Sequence, residues 1–241
     1  MRAFRLLSAL LPASLASFPG FGQEGWTEDL SGSLIMGLAS DYVFRGEKRA
    51  GASFQPGFEL GHPIGGSDGY LGFWSNQELE GTSGDEVDLY GGFAVSLDAI
   101  FRLGGGLTYY WYPGEAEKDD RSDSLEPFVG LFADLPLRPT LFGYFDIERE
   151  QILLEAALGD EVSFGGPFAL EWSVVGGAGH AQQKRGRRGR EGGFWFYETS
   201  AAIVWSMKRG ERLSVSLDYS GREEDGFSDF LFGGVRFETW F

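Results

Sequence analysis

The segment Leu30-Ser31-Gly32-Ser33-Leu34-Ile35-Met36-Gly37-Leu38-Ala39-Ser40-Asp41-Tyr42-Val43-Phe44-Arg45-Gly46 decides the fold. Read at period two, Leu30, Leu34, Met36, Leu38, Tyr42 and Phe44 fall on one side. Ser31, Ser33, Gly37, Ala39, Asp41 and Arg45 fall on the other, with Ile35 and Val43 the apolar members of that side. Successive strand side chains point to opposite faces, so this is a strand with one greasy face and one small or polar face. It is far longer than the ordinary strand of about 5–6 residues. Its greasy face closes on Tyr42 and Phe44, in the manner of a membrane-spanning strand whose lipid-facing band ends in an aromatic girdle. The reading predicts one strand running through to Gly46.

The same phasing carries through the chain. Residues 52–62, 70–79, 86–98, 101–112, 124–135, 140–148, 152–164, 168–179, 194–207, 213–220 and 228–241 each alternate apolar with small or polar positions. With the first segment these make twelve strands, an even number, as bacterial single-chain barrels have. Pro56 has no N–H to give a ladder and predicts a bulge or local break. Charge on the greasy parity is confined to strand ends except at Asp160, after Gly159, where the strand is expected to stop or bulge. A charge on a lipid-facing wall costs about 2–4 kcal/mol at mid-membrane, which accounts for such depletion.

Connections alternate between short links (99–100, 136–139, 208–211) and a set that includes the longer, charged 114–123 and 180–193. Short turns face the periplasm in such barrels, which predicts both termini there and an outer-membrane location. Tyr42, Phe44, Tyr109, Trp111, Trp195 and Tyr197 are expected to form one aromatic belt, and Phe101, Trp205 and Trp240 the other.

The 241 residues contain no cysteine and carry a net charge of −16. No apolar run approaches the roughly 18 residues of a transmembrane helix. So acidic a chain repels nucleic acid. Met1-Arg2-Ala3-Phe4-Arg5, the apolar run 6–15 and Ser14-Leu15-Ala16 have the layout of an export signal with its cleavage site. Residues 1–16 are therefore read as a signal peptide, 17–27 as a flexible lead-in, and 28–241 as a single barrel domain. The terminal Phe241, in phase with Val235 and Phe237, is the kind of strand end that barrel-assembly machinery receives.

Four motifs occur in order: Ser40-Asp41-Tyr42-Val43-Phe44-Arg45-Gly46, Gly69-Tyr70-Leu71-Gly72-Phe73-Trp74-Ser75-Asn76, Glu86-Val87-Asp88-Leu89-Tyr90-Gly91-Gly92 and Tyr110-Trp111-Tyr112-Pro113-Gly114. In these the chain resembles the TorF family, porin-type bacterial proteins without an assigned function, most densely over residues 30–114. Family members often follow Phe-Arg-Gly with a small polar segment, where this chain has Glu47-Lys48-Arg49. The resemblance implies an outer-membrane barrel and little about what crosses it.

On the polar parity lie thirteen acids: Asp41, Glu59, Glu86, Asp88, Glu126, Asp134, Asp146, Glu148, Glu155, Glu171, Glu198, Asp218 and Glu238. Arg45, Arg102 and Arg236 share it. One reading is a cation-attracting pore lining, since charged rings set selectivity at close quarters. The other is a packed polar interior in which arginines pair with carboxylates. Asp41 and Arg45, two steps apart near the rim, would form either a constriction or a structural ion pair. Lys184, Arg185, Arg187, Arg188 and Arg190 form a basic loop suited either to outer-leaflet lipid phosphates or simply to solvent. Asp119-Asp120-Arg121-Ser122-Asp123 lacks the spacing and glycine of an EF-hand. Only His62 and His180 are available as catalytic histidines, and neither stands in a visible constellation. The expectation is a narrow passive diffusion channel for cations or small solutes, without cofactor, metal or enzymatic activity. The alternatives are a non-conducting structural or adhesive barrel and, behind it, a lipid-modifying enzyme.

Overall fold

The computed structural model describes residues 30–81, 84–113, 122–181, 192–207, 210–223 and 228–241. The expected signal peptide, lead-in and basic loop 184–190 lie outside these residues. The strands are β1 (Ser31–Ala39), β2 (Tyr42–Phe44), β3 (Glu47–Ala50), β4 (Ser53–Ile64), β5 (Ser67–Glu78), β6 (Glu86–Ser96), β7 (Phe101–Trp111), β8 (Ser124–Ala133), β9 (Thr140–Asp146), β10 (Gln151–Gly165), β11 (Phe168–Ala181), β12 (Gly192–Ser206), β13 (Glu211–Glu223) and β14 (Phe230–Trp240). Twelve of them close into an antiparallel barrel in the order β1-β14-β13-β12-β11-β10-β9-β8-β7-β6-β5-β4, and β2-β3 form a separate hairpin. Closure gives every barrel strand a neighbour on both sides, the condition for a sheet in hydrocarbon.

β1 and β14 make the seam, Ser33 opposite Trp240 through Ala39 opposite Gly234. Gly32 and Phe241 extend it by exchanging N–H···O bonds of 2.9 and 3.0 Å. The outer edge of the Phe241 ring lies directly over Gly32, where a Cβ would have to displace it. The start of β1 and the finish of β14 share what is called here the near end; the other rim is the far end.

The alternation predicted from sequence is the barrel wall. Leu71, Leu89, Phe93, Val129, Leu154, Leu217 and Leu231 are exposed on the outside, while Tyr90, Phe132, Phe142, Tyr144, Leu153, Phe194 and Phe196 are buried within. Pro56 interrupts the β4–β5 ladder between the Phe54–Gln77 and Gly57–Trp74 pairs without shifting the register, so it is a local break and not a bulge. At Asp160 the strand neither stops nor bulges; the irregularity lies at Ser163/Gly165. There β10 has outrun β9, whose pairing ends at Ala157–Thr140. Asp160 is instead held at 2.6 Å by Arg138 from the β8–β9 turn.

One element departs from the expectation. The opening segment is not a single strand to Gly46: β1 ends at Ala39, and the chain turns inward at Ser40–Asp41. Arg45 (φ 51°) and Gly46 (φ 76°) then close a tight hairpin between β2 and β3. Positive φ at both central residues suits a two-residue turn with the native strand twist. Tyr42 and Val43 are consequently buried in the lumen, and Tyr42 and Phe44 take no part in an aromatic belt. Tyr109, Trp111, Trp195 and Tyr197 remain outward at the far end, and Trp205 stacks on Phe168 near the other.

Candidate functional site: the barrel lumen

Twelve strands leave a bore too wide for the wall side chains alone, and its two sides are filled differently. Inward positions of β7–β12 carry large rings. Phe132 meets Phe142 edge-on at 5.2 Å, Phe142 stacks on Tyr144 at 5.7 Å, and Leu153, Phe194 and Phe196 complete the cluster. Several inward positions near the seam are small, namely Gly37, Ser200, Ala202, Ser214, Ser216 and Gly234. A cavity of about 190 Å³ remains on that side.

The hairpin occupies the far half of the bore. It enters from the β1–β4 side, yet Arg45 at its tip reaches the opposite wall. There Arg45 Nη1 and Nη2 donate to Glu126 on β8 at 2.8 and 3.0 Å, a bidentate fork. The guanidinium also lies 4.5 Å from the Tyr144 ring centroid and 4.7 Å from Phe44. Tyr110 donates to the same Glu126 at 2.9 Å. Tyr42 donates to Glu86 on β6 at 3.1 Å and packs on Trp74 at 5.3 Å. Glu47 on β3 pairs with Arg49 at 2.9 Å and reaches Arg222 on β13 at 3.7 Å. A Cβ at Gly46 would strike the β13 backbone at Gly221, so the tip rests directly against the wall.

The sequence-derived residues divide by location. Glu86, Asp88, Glu126, Asp146, Glu155, Glu198 and Asp218 are buried inside. Glu59 also faces inward, bonded by Tyr90. Glu171 is held with Glu161 by Arg212, at 3.1 and 2.6 Å, Arg236 pairs with Glu238 at 2.9 Å, and Arg102 pairs with Asp68 at 3.0 Å. Asp134 and Glu148 are corrected: both lie just past strand ends, exposed in turns, because β8 and β9 finish earlier than the alternation suggests. Asp41 and Arg45 do not pair on one strand face either; the inward turn gives Asp41 to Lys48 and sends Arg45 to Glu126.

Four arginines missed by the three-arginine estimate also take part. Arg212 and Arg222 sit in phase with Ser214, Ser216, Asp218 and Ser220, so extending the β13 alternation in both directions finds them. Arg149 folds in from the β9–β10 turn to Asp146 at 2.7 Å, and Arg49 arrives on the hairpin; neither has a periodic signal. The interior is therefore less negative than thirteen acids against three arginines implied.

His62 lies beside the near-end turn at Gly65–Gly66 and His180 at the far end of β11, so the two do not meet. No cluster of three or more His, Cys, Asp or Glu able to hold a metal occurs among the described residues. Asp123 is engaged structurally, accepting from the Tyr109 hydroxyl and the Tyr112 N–H, both at 3.1 Å.

A closed antiparallel barrel with an apolar girdle and a charged, hairpin-filled bore is an outer-membrane-type β-barrel, and solved barrels share its architecture. An outer-membrane channel from Pseudomonas putida F1 superposes with TM-score 0.54 at 13% identity, over 88% of this chain and 95% of that one. The NanC porin gives 0.51 at 11%, over 86% and 97%. LpxR from Salmonella typhimurium gives 0.50 at 11%, over 87% and 100%. No curated protein matches the sequence. The chain belongs to the Gcw_chp family, bacterial proteins of unknown function, whose model matches residues 28–153.

Proposed function

We propose that the protein is a narrow passive channel of the outer membrane, with both termini periplasmic, that passes small solutes and prefers cations. The observation that carries this reading is the distribution of charge inside the bore. Asp88, Glu155, Glu198 and Asp218 are buried and make no salt bridge with a described residue, whereas the lumen arginines are committed to carboxylates. Carboxylates so crowded do not all stay ionised, and low-dielectric walls focus the field of those that do inward and concentrate cations. The small side chains along β12–β14 supply the free space. The architecture shared with a porin and an outer-membrane channel is consistent with this reading.

A second reading, a non-conducting structural or adhesive barrel, is favoured by the aromatic filling and by the hairpin spanning the bore. Reversal potentials in a planar bilayer under a salt gradient separate the two. The wild type and a variant with residues 42–50 replaced by a short Gly-Ser link should both select cations, the variant at higher conductance. Converting Asp88, Glu198 and Asp218 to amides should reduce the preference. Anion selectivity, or silence from both folded proteins, defeats the channel.

A further inference from the structure

The hairpin β2–β3 is attached to the barrel in a different way from every wall strand. We infer that it is a hinged gate, latched in the bore by Arg45 on Glu126, that swings aside in the native protein. This inference rests on the channel reading for what the gate controls, but not for the movement itself.

Three observations carry it. The first is the attachment. β2 and β3 pair only with each other, over Tyr42–Ala50, Val43–Lys48 and Phe44–Glu47, whereas each barrel strand has a neighbour on both sides. A lone two-stranded hairpin is marginally stable in water, so this one keeps its place through its side chains. The ties that cross to the wall are largely polar: Arg45 to Glu126, Tyr42 to Glu86 at 3.1 Å, and Glu47 toward Arg222 at 3.7 Å. Separating them in a wetted bore returns charges and hydroxyls to water, which offsets much of the bonding lost.

The second is the pivots. Two short bends, Ser40–Asp41 and Gly51–Ala52, join the hairpin to β1 and β4. Each is pinned to the wall. Ser40 N donates to the Gly233 carbonyl at 2.9 Å, and Ser40 Oγ accepts from Gly233 N at 3.1 Å. Gly51 N donates to Glu78 Oε1 at 3.0 Å, and Leu79 N donates to the Ala52 carbonyl at 2.8 Å. Hinges are built this way, from a few element-terminal residues that absorb the change in φ and ψ between fixed ends.

The third is room to move. The cavity of about 190 Å³ is lined by Asp41 to Phe44 on one side and by β14 on the other. On its other flank β2 leans on β6 through Tyr42 and Glu86, and on β7 through the Phe44 and Tyr110 rings at 6.3 Å. Close-packed interiors leave few voids of this size, so the hairpin is supported on one flank and free on the other.

Thiol labelling of the folded protein in lipid vesicles tests this. The chain has no cysteine, so V43C and V204C each present a single thiol. Val43 lies on the hairpin at 5% exposed, and Val204 on β12 in the near half of the bore at 1%. A small trimethylammonium methanethiosulfonate reagent should modify V43C at a rate set by how often the gate opens. With the gate closed, R45Q leaves Glu126 buried without its partner and E126Q does the same to Arg45; opening relieves both. Each should therefore speed V43C modification roughly tenfold or more while V204C stays slow. In planar bilayers each should also lengthen the time spent at a higher conductance level. V43C modification no faster in either folded variant, or V204C accelerated to the same extent, overturns the inference. Faster V43C modification in a protein that does not conduct fails only the channel, and conduction with V43C modification unchanged fails only the gate.

Discussion

Arg45 reaches across the lumen from the hairpin tip to Glu126 on the opposite wall, with both guanidinium nitrogens on the two carboxylate oxygens at 2.8 and 3.0 Å. This bond turns a connection between two adjacent strands into a strut across the bore. Arg45 itself sits at φ 51°, the left-handed conformation that the two-residue turn requires.

Removing one end of this strut should cost more than removing both. The side chains of Arg45 and Glu126 are only 13% and 3% exposed, so R45A leaves a buried carboxylate with its neutralising partner gone. Breaking a buried pair in this way costs about 3–5 kcal/mol. The double variant R45A/E126A should recover part of that loss, a coupling readable in a double-mutant cycle from urea unfolding. Strict additivity of the single losses would mean the strut contributes nothing as a pair.

The outer wall should resist charge according to depth. Leu217 lies in the middle of β13 and is 59% exposed, whereas Ile64 ends β4 beside a near-end turn and is 62% exposed. Arginine at Leu217 should cost about 2–4 kcal/mol in phospholipid vesicles, and arginine at Ile64 about 0–1. Exposure is nearly equal at the two sites, so only membrane depth separates them. Equal penalties would contradict a lipid-facing wall.

The β6–β7 turn should be sensitive to acid. Asp98 Oδ1 accepts from the N–H groups of Ile100 and Phe101, both at 2.7 Å, and these bonds hold its carboxyl below the ordinary range. A depressed folded-state pKa adds stability above the unfolded value and loses it as pH falls through the folded one. D98A should therefore melt below wild type at neutral pH, with the gap closing on acidification. A gap constant from neutral to strongly acidic pH would assign the effect to the turn's backbone rather than to the carboxylate.

What the sequence determined by itself is what a strand determines locally. The side to which Leu89 or Asp88 points depends only on its place in an alternating run, so the twelve-strand barrel, its apolar exterior and most of its inward acids follow from parity. Even Arg212 and Arg222 belong to that signal, in phase just outside the alternating run 213–220. The tertiary structure alone decided what fills the bore. Tyr42-Val43-Phe44 alternate as a membrane strand would, yet the chain turns inward before them, because Arg45 finds Glu126, Tyr42 finds Glu86 and Glu47 approaches Arg222. Those partners lie 81, 44 and 175 residues away along the chain. No local periodicity records such pairings; they exist only once closure brings β6, β8 and β13 around a common lumen whose buried charges require partners.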